Sequence, residues 1–333
     1  MIQNLVRHHR LLGGMLLLWL GAPGAGLAQA PERNPLDSVV QVSAVIRADG
    51  RTADTLGRQR EGSGVVIDGD GLILTIGYLI LEALEVNVTG PGQAPVAADI
   101  VAYDHESGFG LVRAREPLGV EPLALGDSAA LQPRQPVLVV SRMGEFDAAG
   151  VYVVDRRVFA GYWEYLLEDA IFTAPPRADF GGAALIDQGG RLVGIGSLVV
   201  NDAGQEGRPV PGNMFVPIDQ LKPILGDLLA NGRRSDPPRP WLGLTLEEHR
   251  GRVFVIRVTP DGPAANAGIE PDDMILGVGG VPVVGLVDFY RTLWGLGEAG
   301  VEVPLNLLQG MSPHTASIRS GDRYRFLRLD PTF

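Results

Sequence analysis

The sequence predicts a mainly β chain closed by a small α+β module, and three observations carry that expectation. Short, β-branched-rich runs recur from Ser38 to about Val200, each punctuated by Gly, Pro or Asp. Glycine and proline number 45 and 25 in 333 residues, which favours many strands with tight turns over a helical bundle. The texture then changes after GRRSDPPRP, a charged, proline-rich stretch with the composition of a linker. A chain of this length has room for two domains.

Taken in order, residues 1–30 are set aside as a secretory leader. Arg7 and Arg10 give a positive start, LLGGMLLLWL is an apolar run, and Ala28-Gln29-Ala30 offers a small-residue cleavage site. The run is too short to span a bilayer, so no membrane span is expected once the leader is removed; an uncleaved anchor is the alternative. The strands follow as SVVQVSAVI, GSGVVI, GLILTI, LEVNVTG, ADIVAYD, FGLVRA, QPVLVVS, GVYVVDRRVFAG and RLVGIGSLVV, a spacing that suggests an all-β sandwich or barrel. PIDQLKPILGDLLANG is the first clear helix, with Ile218, Leu221, Leu225, Leu228 and Leu229 on one face, Pro223 tolerated early and Gly232 as the stop. Beyond the linker, VFVIRV reads as a strand, GPAANAGI as a short helical turn and DMILGVGGVPV as a strand pair around a glycine turn. LVDFYRTLWGLG is an amphipathic helix, and EVPLNLLQG with TASIRSGDRYRFLRL form closing strands across a long polar connection, QGMSPHTA.

Composition removes several function classes. The formal net charge of −11 becomes more negative without the leader's two arginines, which disfavours nucleic acid and anionic lipid as partners. The absence of cysteine excludes disulfides, thiolate catalysis and thiolate metal sites. An exported protein without disulfides fits a bacterial periplasm. His249 and His314 lack carboxylates at ligand spacing, so neither a metal nor any other cofactor is expected.

Three stretches together resemble the HtrA/Deg-type family of exported serine proteases. They are GSGVVIDGDGLILT (62–75), GNMFVPIDQLKPILGDLLANG (212–232), and RPWLGLTL (239–246) with GPAANAGIEPDDMILGVGG (262–280). The resemblance implies a trypsin-like double β-barrel followed by a PDZ domain. It places the leader at 1–30, the trypsin-like domain at 31–231, the linker at 232–239 and the PDZ domain at 240–333.

The family's chemistry needs a serine nucleophile, a histidine that takes its proton and an aspartate that orients the histidine. By resemblance these positions fall on Tyr78, Gly108 and Phe180, the last within Ala178-Asp179-Phe180-Gly181-Gly182. Shifting the alignment does not restore them, since no histidine lies between Arg10 and Asp104 and no serine between Ser141 and Ser197. The chain is therefore expected to be a pseudoprotease with no catalytic residues in that cleft. His105 is expected at a surface or edge, Ser63 in a backbone turn, and Asp179 in solvent. Tyr78 and Phe180 are expected to meet as an aromatic pair plugging the cleft.

In the PDZ part, the resemblance puts the backbone N–H groups of Leu242, Gly243 and Leu244, after Trp241, around a peptide's terminal carboxylate. Leu242 and Leu244 would line the last side chain's pocket, with Tyr290 and Leu293 as its other wall. The peptide would add as a strand beside VFVIRV or its neighbour. The expected function is recognition of C-termini or extended segments of envelope proteins, as adaptor, scaffold or regulator. Copies of itself or active HtrA-like relatives are possible co-assembling partners, as trimers. The alternatives are a weak or partner-completed peptidase and a holdase without sequence preference.

Overall fold

The computed structural model of the protein describes residues 34–204 and 209–328, so the expected leader lies outside the described residues. The first barrel comprises β1 (Val39–Ile46), β2 (Gln59–Val66), β3 (Leu72–Ile76), β4 (Ala83–Thr89), β5 (Val96–Tyr103) and β6 (Phe109–Ala114). They close in the order β1-β2-β3-β6-β5-β4. In β1 the alternate residues Val40, Val42, Ala44 and Ile46 are buried, the period of two that a barrel wall requires. A single helical turn, α1 (Ala53–Leu56), links β1 to β2. Pairing of Thr75 with Gly110 and Ile76 with Phe109 brings the end of β3 beside the start of β6.

The second barrel is built from β7 (Pro136–Met143), β8 (Glu145–Gly161), β9 (Tyr165–Ala174), β10 (Ala184–Ile186), β11 (Leu192–Val200) and β12 (Gly212–Pro217). It closes as β10-β11-β12-β9-β8-β7. The β8–β9 hairpin is paired to its tip, where Gly161 faces Tyr165 across the turn Tyr162-Trp163-Glu164. One apolar cluster runs through both barrels, including Phe109, Leu111, Val140, Phe172 and Val216.

The C-terminal module is a sheet in the order β13 (Leu244–His249), β14 (Arg252–Val258), β15 (Met274–Val278), β17 (Glu302–Gln309), β18 (Ser312–Arg319), with β16 (Val281–Pro282) paired to β15. Helix α4 (Gly285–Trp294) covers it through Leu286, Phe289, Tyr290 and Leu293, all buried. A short α3 (Pro263–Asn266) and a terminal turn α5 (Arg323–Phe326) complete it. The module's apolar cluster also takes in Leu166 of β9, so a barrel strand contributes to its core.

Several expected elements change shape. The helix across Pro223 is split into a 3₁₀ turn, Ile218–Gln220, and α2 (Leu225–Asn231). Proline lacks the N–H and restricts the residue before it, so the helix starts afresh after Pro223 and leaves Leu229 exposed. Gly232 ends α2 in the left-handed conformation, as expected of a stop. The QGMSPHTA connection is no loop: β17 and β18 stay paired to Gln309 and Ser312, and only Gly310 and Met311 turn. The last expected strand ends at Arg319, because Asp322 caps Tyr324 N–H and starts α5. Strand β9 is absent from the sequence expectation, since Glu168-Asp169 interrupts its apolar run.

Candidate functional site

The three positions singled out by resemblance lie where the two barrels meet. Tyr78 sits on the 3₁₀ turn Gly77–Leu79 that follows β3. Its hydroxyl crosses to the second barrel and donates to the Ser197 carbonyl at 3.1 Å. Burial pushes that hydroxyl well above the usual phenol range. Tyr78 is thus a neutral donor at physiological pH.

Gly108 closes a tight corner before β6. Its N–H donates to the Asp104 carbonyl at 2.8 Å, and its own carbonyl accepts from Gly77 N–H at 2.7 Å. The backbone there has φ +83°, a left-handed conformation in which any side chain is strained. Asp104, four residues earlier, is fully buried and turned towards the linker, where Arg234 donates to both its oxygens at 2.9 and 2.7 Å. Burial alone would raise the Asp104 carboxyl; Arg234 and the Ser107 hydroxyl outweigh it and hold it below the usual carboxylate range.

Phe180 is half-buried in a loop fixed by its own backbone: its carbonyl accepts from Ala183 N–H, and Gly182 N–H donates to Gly196. Ala178 is exposed and lies outside the left-handed region. The expected plug is not formed, for among the described residues Tyr78 and Phe180 make no ring contact. A buried hydroxyl without a partner is costly, and the Ser197 carbonyl satisfies it where a phenyl ring could not. The Tyr78 hydroxyl passes Gly181 so closely that a Cβ there would lie 2.9 Å from it.

His105 and Ser63 are both held in packed surroundings. His105 is not the surface histidine expected: it lies edge-on between the rings of Tyr103 and Tyr324, at 4.4 and 4.1 Å. Its ring nitrogens are buried with no hydrogen-bond partner among the described residues. Burial, helped by nearby Arg323, holds it neutral, well below the usual histidine range. Ser63 is fully buried, and its hydroxyl accepts from Arg142 N–H at 2.9 Å, tying β2 to β7. Asp179 is exposed, as expected.

In the C-terminal module, the loop that follows Trp241 is occupied by a side chain of the barrel domain. Leu242, Gly243 and Leu244 form a turn that Gly243 enters at φ +83°, and their N–H groups converge on one carboxylate. That carboxylate belongs to Glu164, at the tip of the β8–β9 hairpin. Leu242 N–H donates to Oε2 at 2.9 Å, while Gly243 and Leu244 donate to Oε1 at 2.7 and 2.8 Å. Glu164 is 6% exposed; burial raises its carboxyl above the usual range, against the three N–H groups and Arg323.

The tip continues along β13, the neighbour of VFVIRV, where Leu246 N–H donates to the Tyr162 carbonyl at 2.8 Å. Tyr290 and Leu293 of α4 are fully buried in the same apolar cluster as Leu242 and Leu244. The Tyr290 hydroxyl donates to the Gly161 carbonyl at 2.7 Å and accepts from Glu164 N–H at 3.2 Å. Trp241 stands behind the loop: its backbone pairs with Gly321 and its ring lies 4.5 Å from that of Phe326. A cavity of about 520 Å³ flanks the tip, with Glu164, Arg234, Trp241, Trp294 and Arg323 among its walls. Sequence reasoning missed Glu164. The available signal was the turn itself, YWE between two strands, which has none of the Gly, Asn or Asp that hairpin turns favour.

Among the described residues no helix is long and apolar enough to cross a membrane, and no group of three His, Cys, Asp or Glu is placed to hold a metal.

Comparison with known proteins agrees with this architecture. The trypsin-like peptidase domain family matches residues 62–195 and the PDZ domain family residues 240–319. A probable periplasmic serine endoprotease, DegP-like, of Pseudomonas putida (strain W619) is 27% identical over 76% of this chain and 54% of its own length. The serine protease PepD of Mycobacterium tuberculosis is 27% identical over 79% of this chain and 62% of its own. The chain thus spans little more than half the length of these relatives. Among solved structures, the HtrA-type protease AlgW with decapeptide matches with a TM-score of 0.52 and 18% identity, over 86% of this chain and 96% of the other. The serine endoprotease from Yersinia pestis gives 0.51 and 20%, over 86% and 94%. At these identities the structures speak for the fold alone. Double barrel and sequence matches agree: the chain carries a trypsin-like peptidase domain followed by a PDZ domain, and it is similar to HtrA/DegP-type proteases.

Proposed function

We propose that this protein is a non-catalytic HtrA-type protein of the bacterial periplasm that works by binding, through its PDZ groove, the C-termini or extended segments of other proteins. The observation that carries the non-catalytic part is Tyr78. At the position where the family's chemistry needs a proton acceptor stands a half-buried neutral phenol, already donating to a carbonyl. Gly108 adds support, because a carboxylate at that position would require a strained left-handed backbone. The binding part is supported by the Leu242-Gly243-Leu244 loop, whose three N–H groups hold a carboxylate. The HtrA-type protease AlgW, similar to this chain in fold, is solved with a decapeptide, which supports peptide as the ligand class.

The test has two arms. Purified mature protein and a Phe180→Ala variant are incubated with unfolded casein at high concentration for long times. Neither is expected to cleave it; cleavage that survives several columns and changes with Phe180→Ala would instead place a catalytic group in the cleft. A peptide array with free and amidated C-termini tests binding. Signal is expected only from free C-termini, sharpest in the last one to three residues, and Leu244→Asp should abolish it. Equal signal from amidated peptides would point to a holdase.

A further inference from the structure

Resting on that peptide-binding reading, we propose that Glu164 is a tethered ligand of the PDZ groove. The β8–β9 tip occupies the place of a C-terminal peptide, and a protein C-terminus with an apolar last residue enters by displacing it. Four features of the contact imitate a bound peptide. The Glu164 carboxylate takes all three N–H groups of the loop, as a chain terminus would. Two residues earlier, the Tyr162 carbonyl accepts from Leu246 N–H, so the tip extends the sheet at the free edge of β13. Leu166, two residues later, is buried in the cluster that contains Leu242, Leu244, Tyr290 and Leu293, so an apolar side chain accompanies the carboxylate. The Tyr290 hydroxyl clamps the turn from the α4 side.

The turn itself is shaped for this contact. Glu164 has φ +56°, a conformation that glycine or asparagine adopts far more readily. A glutamate there is disfavoured locally, and its carboxylate meets its hydrogen-bond partners only in the opposite domain. Strain of this kind persists where surrounding contacts over-determine it. The Arg291–Glu168 ion pair beside the tip is more than half exposed on both sides and adds little.

The experiment uses the full mature chain and two variants, Glu164→Ala and Glu164→Gln. The glutamine keeps the side-chain volume but turns an NH₂ group towards one of the three donors. Circular dichroism and the unfolding midpoint verify folding. Hydrogen exchange is followed at Leu242, Gly243 and Leu244. In parallel, fluorescence anisotropy is titrated with a labelled hexapeptide pool ending in Val, Leu, Ile or Phe with a free carboxylate, and with its amidated counterpart. The three amides are expected to exchange at least about tenfold faster in Glu164→Ala, with Glu164→Gln intermediate. The free-acid pool should bind the alanine variant about tenfold or more tighter than the parent, and the amidated pool should bind neither. Unchanged exchange in both folded variants would overturn the tethered ligand. Faster exchange with no binding of either pool would leave the internal contact standing and overturn its displacement by peptide. The groove would then be a socket that fastens the two domains, and the peptide-binding function would fall separately.

Discussion

A half-buried phenol between two barrels is best satisfied by an acceptor, and the Ser197 carbonyl gives Tyr78 one. Removing that hydroxyl leaves the carbonyl without its donor, so Tyr78→Phe should lower unfolding free energy by about 1 kcal/mol in a denaturant titration. At Gly108 the constraint is the backbone. A left-handed L-residue is disfavoured by about 1–2 kcal/mol, so Gly108→Asp should destabilise the barrel by that order. It should also fail to present its carboxylate towards the cleft. The combined variant Tyr78→His, Gly108→Asp, Phe180→Ser is therefore expected to leave casein uncleaved. Cleavage by this variant would mean that the corner from Asp104 to Gly108 can be remodelled by side chains alone. At this scale the sequence was legible through the resemblance, which singled out Tyr78, Gly108 and Phe180. It was silent where direction matters: nothing in the sequence says that Tyr78 reaches Ser197 and leaves Phe180 unpaired.

The linker is an element with no regular structure, yet it is pinned. Arg234 bridges fully buried Asp104 and also Glu106, which Arg239 joins at 2.6 Å. Breaking a buried pair by removing one partner typically costs about 3–5 kcal/mol, so Arg234→Met should approach that range in thermal or denaturant unfolding. Because the folded Asp104 carboxyl lies below its unfolded value, its contribution is complete above the ordinary carboxylate range and is lost as pH falls through the folded value. Asp219, held down to about 2 by Lys222, Ser128 and Ala129 against the opposing effect of burial, acts in the same direction. Unfolding midpoints should therefore drop between about pH 5 and about pH 2, with a shallower drop in Arg234→Met; an identical slope in the two proteins would exclude Asp104 as a source. Elements whose apolar period is uninterrupted, such as β1, β3 and α4, could be read directly from the sequence. The helix across Pro223 and strand β9 could not. A missing N–H outweighed a good apolar face in one, and a barrel partner outweighed two acidic residues in the other.

Across the whole molecule, barrel and PDZ module share a core residue, Leu166, and a buried carboxylate, Glu164. The parent protein is expected to unfold in one calorimetric transition, whereas Glu164→Ala should broaden or split it. A single unchanged transition in the variant would show that the other contacts suffice to couple the domains. The run of short strands and the closing α+β module were legible because turns and apolar alternation are local, whereas the double barrel and PDZ fold came from the resemblance. The contact between them was not, since it joins residues 78 to 80 positions apart in the chain. The same contact sets a threshold for any outside ligand. A competitor carried on the same chain is present at an effective concentration that dilution cannot reduce. Each tenfold bias towards the docked tip multiplies a peptide's apparent Kd by about ten. Weak, abundant C-termini are thereby screened out, and only those that bind tightly enough to outcompete Glu164 would register.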